Sequence, residues 1–350
     1  MNYQPIKGRG SAHNPKNRFR DTELEYDPDN QTGSLEKPKT KLLKDHTKEI
    51  ISTNNSPDIP FEVSVNPYRG CEHGCVYCYA RPSHEFLGMS AGLDFESKIV
   101  VKYEASKLLR NALADEKWKP KTLVMSGVTD PYQPIEKKLK ITRGCIEVLA
   151  ECNHPLVIIT KNYMVTRDID LLSKLAKIGA AKVILSVTSL DKSLTDTMEP
   201  RTSRPAKRLQ AVKELTEAGI PVHVNIAPLI PGLTDDEIVP IMEASSEAGA
   251  VSVSCNIVRL PFGVKEIFLK WLGDHHPNRK DKVINKIKSM KDGKLNRSEF
   301  GERFRGEGPY ARQIEQLLQI HRKRLGLNND RKPLNSSEFR RPETEQLRLF

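Results

Sequence analysis

The chain has 350 residues, 37% of them hydrophobic, and a net charge of +11 from 56 Lys/Arg against 45 Asp/Glu. No run approaches the ~20 consecutive apolar residues of a membrane-crossing helix, and no N-terminal apolar segment has the pattern of a secretory leader, so no membrane association and a reducing, cytoplasmic setting are expected. Nearly all the excess charge sits in residues 260–350, with 21 basic and 12 acidic side chains; such a region attracts phosphate backbones without reading sequence, and a solvated tail has the same composition.

Residues 1–60 are rich in Lys, Asn, Asp, Pro and Thr and are expected to be mostly disordered, because they hold too little apolar surface to offset their ordering entropy. Residues 61–260 alternate short Val/Ile-rich runs with amphipathic stretches. The expected strands are Phe61–Tyr68, Lys121–Ser126, Pro155–Thr160, Lys182–Thr188, Pro221–Ala227 and Val251–Ile257. Helical spacing marks Ile141–Ala150, Ile169–Ile178, Arg208–Ala218 and Asp235–Ala248, the last three stopping at Gly179, Gly219 and Gly249. Thr234 with Glu237 reads as a capping box. Residues 261–327 form a basic helical extension: Pro277–Lys291 is dense in lysine, and Gly301–Tyr310 interleaves Arg303 and Arg305 with Phe304 and Tyr310. Residues 328–350 read as a flexible tail from which Leu347, Leu349 and Phe350 could dock.

Strand–helix alternation with near-continuous apolar strands implies parallel pairing, in an open doubly wound sheet or an incomplete barrel. Both place their chemistry at the carboxyl ends of the strands. One rim then gathers the loop after the first strand, Ser126 to Asp130, Lys161-Asn162, Ser186 to Ser189, and Pro228 to Gly232.

The loop after the first strand holds Cys71, Cys75 and Cys78, a C-x3-C-x2-C spacing with Tyr77 before the last cysteine. Thiolates are soft ligands that suit iron–sulfur clusters and zinc. Three of them fill three corners of a cubane 4Fe-4S cluster and leave one iron open. Zinc would need a fourth protein ligand, for which His73, His84 and His46 are the nearby candidates. A metal-free core of small cysteines is the third reading.

The spacing and its place after the first of six strands resemble the radical S-adenosylmethionine (radical SAM) superfamily. Asn66 to Cys71, Cys78 to Pro82, Gly92 to Glu96, Thr129 to Gln133 and Glu199 to Thr202 resemble the group related to spore photoproduct lyase, whose "DNA repair photolyase-like" bacterial members are most similar. The resemblance spans roughly residues 60–325 and implies a partial (β/α)6 TIM-like barrel. It implies a 4Fe-4S cluster on Cys71, Cys75 and Cys78, whose open iron binds S-adenosylmethionine, and one-electron cleavage to a 5′-deoxyadenosyl radical. An electron donor such as flavodoxin or ferredoxin is implied, with nucleic acid one substrate class, reached through the basic C-terminal region.

By the same resemblance Tyr77 and Tyr79 approach the cofactor, Ser126 and Asp130 meet the methionine ammonium, Lys161 its carboxylate, and Ser186 the ribose. The segment Ala227 to Gly232 is similar to the adenine-side loop. Spore photoproduct lyase returns hydrogen from a cysteine near the end of its second strand. Met125 stands at that place here, and a thioether cannot do this; Cys255, near the end of the sixth strand, is the candidate donor. A zinc-bearing nucleic-acid-binding protein without catalysis is the alternative from another class.

Overall fold

The computed structural model describes residues 4–20, 39–301, 303–327 and 333–343. Among these residues the strands are β1 (Lys41–Lys44), β2 (Ile51–Thr53), β3 (Val63–Val65), β4 (Tyr68–Arg69), β5 (Lys98–Val101), β6 (Leu123–Met125), β7 (Leu156–Thr160), β8 (Ala181–Ser186), β9 (Val222–Leu229) and β10 (Ser252–Ile257). One seven-stranded sheet has the order β10-β9-β8-β7-β6-β3-β2. Its six parallel strands, β3 and β6 to β10, follow one another in sequence order, and β2 runs antiparallel on the β3 edge. Helices Ile141–Glu151, Ile169–Lys177, Pro205–Glu217 and Ile238–Glu247 connect successive strands. This is the expected partial barrel, left open between β10 and β2.

Register divides the sheet into two unlike faces. Val65, Met125, Ile158, Val183 and Val222 share one row and are fully buried. Parallel strands covered on both sides select such residues. The opposite, concave face carries Ile159, Ile184, His223 and Ser252 in one row and Ser186, Asn225 and Ser254 in the next row towards the rim, with Lys161 just past the end of β7. Met125 therefore lies under the helices, on the face away from Lys161.

The expected strand Phe61–Tyr68 is broken. Pro67 has no N–H to continue a ladder, so the chain leaves the main sheet after Val65. It re-forms as β4, paired with β5 in a small β1-β5-β4 sheet. Its paired strands β4 and β5 bracket the cysteine loop in sequence. The helices after β7, β8 and β9 stop at Gly179, Gly219 and Gly249 as expected, each with positive φ. The capping box at Thr234 does not form. Thr234 Oγ1 accepts from Ile230 N, and Glu237 turns to the neighbouring loop to accept from Ser189 Oγ and Leu190 N.

The described part of residues 1–60 is docked on the barrel rather than free. His13 Nε2 lies 2.6 Å from Glu266, Pro15 O accepts from Ser90 Oγ, and Asn17 Nδ2 donates to Glu85 O and Met89 O. Composition hides this, because the anchors are backbone groups and single polar side chains rather than apolar clusters.

At the far end of the chain, helix Gly308–Arg324 covers the β10 edge, with Arg322 Nε donating to Val253 O. Residues 333–343 then cross beneath the sheet. Asn335 N donates to Gly179 O, Arg340 N to Cys152 O, and Arg341 to the carbonyls of Asp115, Glu116 and Trp118. Leu347, Leu349 and Phe350 lie outside the described residues. No helix among the described residues is long and apolar enough to cross a membrane.

Candidate active site

The cysteine loop springs from β4 and lies over the carboxyl ends of the barrel strands. Cys71 and Cys75 are buried and Cys78 is half-buried. Each thiol lies within electrostatic reach of another, and burial, the largest influence on each, pushes all three above the usual thiol range. Gly74 carries φ +71, and a Cβ there would meet Glu96 at 2.9 Å, so the turn between the first two cysteines requires glycine. The N-terminal segment seals it from above: a Cβ on Gly10 would sit 1.7 Å from Gly74 O.

A buried polar network fixes the loop. Arg81, fully buried, donates to Cys75 O, Ala91 O, Gly92 O and the carboxylate of Glu96. Glu96 in turn accepts from Gly10 N and Ser11 N. Gln133 Oε1 accepts from Glu72 N, and Glu72 accepts from Thr40 Oγ1, Ile135 N and Arg201. Beneath the loop, Glu199 takes the hydroxyl of Tyr77 and the guanidinium of fully buried Arg208. Burial alone would raise the Glu199 carboxyl, but Arg208 and then Lys161 hold it below the usual range.

The expected site residues divide into three sets. Tyr77, Asp130, Lys161 and Ser186 are brought together under the loop. Asp130 is fully engaged: Oδ1 accepts from Tyr132 N and Thr160 Oγ1, while Oδ2 accepts from Lys161 N and lies 3.3 Å from His73 Nδ1. Burial raises its carboxyl, yet His73 and these donors hold it low. Lys161 Nζ donates to Ala227 O at 2.7 Å and Thr188 Oγ1 at 3.2 Å, 5.5 Å from the Tyr77 ring centroid. Burial lowers the pKa of Lys161.

Ser126 and Tyr79 stand at the opening. Ser126 has φ +145, a strained conformation for a residue with a Cβ, and donates to Thr129 O. Tyr79 is 54% exposed.

Cys255 is not brought to this site. It pairs in register with Ile226, which is fully buried, and the charges acting on it are Arg322 and Glu315 of the C-terminal helix. The two-residue period of β10 turns Ser254 and Asn256, rather than Cys255, towards Asn225. The reading of Cys255 as a donor into the lumen is corrected accordingly.

Sequence reasoning passed over Arg81, Glu96, Glu199 and Arg208 as functional residues, placed Thr188 on the rim without giving it a role, and did not mark Asn225 or His223. Arg208 had a visible signal: it falls on the same helical stripe as Ala211, Val212 and Leu215, where a charge requires a buried partner. His223 lines the concave face between Ser252 Oγ at 2.7 Å and Ser254 Oγ at 2.6 Å, and burial pushes its pKa down to about 4.

The donor set suits a cubane better than a single ion. Among the described residues no three His, Cys, Asp or Glu side chains converge on one ion position. The zinc reading lacks its fourth ligand: His73 engages Asp130 and Asn162 through its two ring nitrogens, His46 is exposed, and His84, whose Nε2 meets Lys98 O and whose Nδ1 has no partner, joins no group of three metal-binding side chains among the described residues. Cys145 and Cys152 belong to the buried core of the helical layer. Three thiols with no fourth side chain fit a cluster with one open iron.

A profile of the radical SAM superfamily matches residues 65–244, just over half of the chain. The chain belongs to the radical SAM superfamily. An uncharacterised protein of Mycobacterium tuberculosis is 35% identical over 225 residues, 64% of this chain and 66% of that protein; the chain thus spans slightly less than two thirds of this relative's length. An uncharacterised protein of Methanocaldococcus jannaschii is 33% identical over 199 residues, 57% of this chain and 71% of the relative. Among solved structures, a spore photoproduct lyase mutant with bound AdoMet and dinucleoside spore photoproduct superposes with a TM-score of 0.55 at 17% identity, over 81% of this chain and 78% of the other. That likeness is one of fold. The sequence stretches that resemble the lyase-related group have a physical role in this radical SAM chain. Cys78 to Pro82, Gly92 to Glu96, Thr129 to Gln133 and Glu199 to Thr202 supply the clamps that hold the cysteine loop.

Proposed function

We infer that the protein is a radical SAM enzyme that acts on a nucleic-acid substrate. Cys71, Cys75 and Cys78 would hold a 4Fe-4S cluster, with S-adenosylmethionine bound across the rim beside Lys161 and Ser186. In this superfamily the bound pair supplies reductive cleavage of the sulfonium and a carbon radical able to take hydrogen from an unreactive C–H bond. The observation that carries the reading is three clamped thiols with no fourth side-chain ligand.

The protein's own groups do the positioning. Arg81 and Glu96 fix the carbonyl side of the loop, and Asp130 ties His73 to the end of β7. Lys161 offers an ammonium at the rim, where its bond to Thr188 can be exchanged for a ligand carboxylate. Ser186 and Asn225 stand side by side on the concave wall as hydrogen-bonding groups for a ribose. Gly10 and the N-terminal segment exclude water from the loop's outer side. Nucleic acid as substrate is supported by the charge of residues 260–350 and by the dinucleoside spore photoproduct bound to the lyase of similar fold. An electron donor such as flavodoxin or ferredoxin completes the system.

The test is anaerobic incubation of reconstituted, dithionite-reduced protein with S-adenosylmethionine. We expect reductant-dependent formation of 5′-deoxyadenosine and methionine, abolished in Cys75→Ala. Colourless protein carrying one tight zinc would instead favour the non-catalytic binder.

A further inference from the structure

We propose that the rim carries a second, cofactor-independent surface, a belt of exposed aromatic rings and guanidinium groups built to hold an unpaired nucleic-acid strand. The proposal deepens the substrate reading above and rests on it.

Six Phe or Tyr side chains among the described residues are largely exposed; one is Tyr103, and the other five are Phe19 (56%), Tyr79 (54%), Phe86 (75%), Phe262 (59%) and Phe300 (60%). Four of these five fall in two clusters of ring and guanidinium contacts, which follow each other along the chain at Arg259 and Phe262, and Tyr79 lies near the second. Phe86 and Phe19 have ring centroids 4.8 Å apart. The Arg18 guanidinium lies 5.1 Å from the Phe19 centroid and 3.4 Å over Phe262. Three residues before Phe262, Arg259 sits 5.0 Å from Phe304 and within electrostatic reach of Tyr79. Arg303 lies 5.0 Å from Phe304 and 4.9 Å from Phe300. Scattered apolar side chains on a surface need no explanation, whereas exposed rings gathered in clusters with guanidinium groups mark an interaction site.

Two details show that the belt is held in place. Phe262 has φ +49, a conformation costly for a bulky residue, and keeps its ring outward. The charges of Arg18 and Arg303 are balanced by Glu85 and Asp58, which fixes both against the rings they pack on. Arg259 differs: its Nε is buried with no hydrogen-bond partner, and it makes no ion pair among the described residues. With no carboxylate paired to it, this guanidinium carries a charge left for an incoming anion.

Ring faces with an unmatched guanidinium beside them suit a polyanion that presents flat π-faces. Bases of a single strand stack on such rings regardless of sequence, while Arg259 takes a phosphate. A duplex keeps its base faces stacked inward and cannot use the rings. The charge of residues 260–350 supplies the long-range attraction.

The experiment is fluorescence anisotropy of the full chain with a labelled oligothymidylate of ~12 nucleotides, within the range of single-strand site sizes, and with a hairpin duplex of equal charge, across a salt series. The single strand should bind at least tenfold more tightly than the duplex. Phe86→Ala, Phe262→Ala and Phe300→Ala should each weaken it by about five- to a hundredfold, with unchanged melting temperature. Arg259→Gln should lower the slope of log K against log salt by about 0.7. Equal or tighter duplex binding, or ring variants that bind like the wild type, overturns the proposal. So does capture of phosphatidylglycerol vesicles or an oligoglutamate peptide in place of the oligonucleotide. Iron uptake and 5′-deoxyadenosine formation are measured separately on the unmutated protein, so a strand that fails to bind removes the belt and leaves the cluster reading standing.

Discussion

The two ends of the barrel are built on opposite principles. At the carboxyl rim, charged groups are buried in pairs, Arg81 with Glu96 and Arg208 with Glu199, and the Asp130 carboxylate is buried against His73. Backbone strain appears there too, at Ser126 and Phe262. At the floor, residues 333–343 close the sheet with backbone carbonyls as acceptors and with stacked rings. Trp118 Nε1 donates to His154 Nε2, and Phe339 meets the His154 ring edge-on at 5.4 Å. Buried ion pairs are weak devices for stability and strong ones for fixing a geometry. The contrast places the geometric demand at the rim, where the cysteine loop sits, and ordinary sealing at the floor.

The largest test of that contrast is Arg208→Met. It leaves Glu199 buried with no cationic partner but Lys161, 3.9 Å away, and should cost about 3–5 kcal/mol in urea unfolding. The double variant with Glu199→Gln should recover much of the loss. If the single variant costs under about 1 kcal/mol, well below the loss for a broken buried pair, the rim network is not fixing the loop.

The second test is acid. Burial holds the pKa of His154 and of His223 at about 4, below the ordinary 6.5. Between pH 6.5 and 4 the unfolded chain takes up protons that these imidazoles refuse. Stability is therefore full above pH 6.5 and falls as pH drops towards 4, by about 3 kcal/mol for each ring. For His154 the cause is local, since protonating Nε2 removes the acceptor of the Trp118 N–H. Chemical denaturation across this window should show the slope, and His154→Gln should lose about half of it.

The smallest effect belongs to the tail. Arg341→Ala removes bonds to the loop that enters β6 and should cost about 1–2 kcal/mol. Iron uptake by the reconstituted protein should be unchanged. Reduced iron uptake in Arg341→Ala would mean that the two ends are coupled.

The six parallel strands and their connecting helices were legible because each is a short apolar run or a 3.6-period stripe, three of the four helices being ended by a glycine. The break at Pro67 could be read from the missing N–H. The strand Lys98–Val101 is an apolar run that was passed over because it belongs to a side sheet rather than to the alternating pattern. The cysteine loop was legible from spacing alone. Its clamps were less so, because Arg81, Glu96, Glu199 and Arg208 lie 10 to 137 positions from Cys71 and are joined only by folding. Cys255 failed for a simpler reason: position along a strand says where a residue lies, and a one-residue step decides which face it serves.

Whether the three thiols hold a cluster with one open iron is decided most directly by electron paramagnetic resonance of the reduced protein after anaerobic reconstitution, with and without S-adenosylmethionine. We expect about four irons per chain, as for a single cubane, lost in any of Cys71→Ala, Cys75→Ala and Cys78→Ala, and a cluster signal that shifts when S-adenosylmethionine is added. A fully formed cluster whose signal ignores S-adenosylmethionine, or a protein that retains its iron without these cysteines, would contradict the open-iron site.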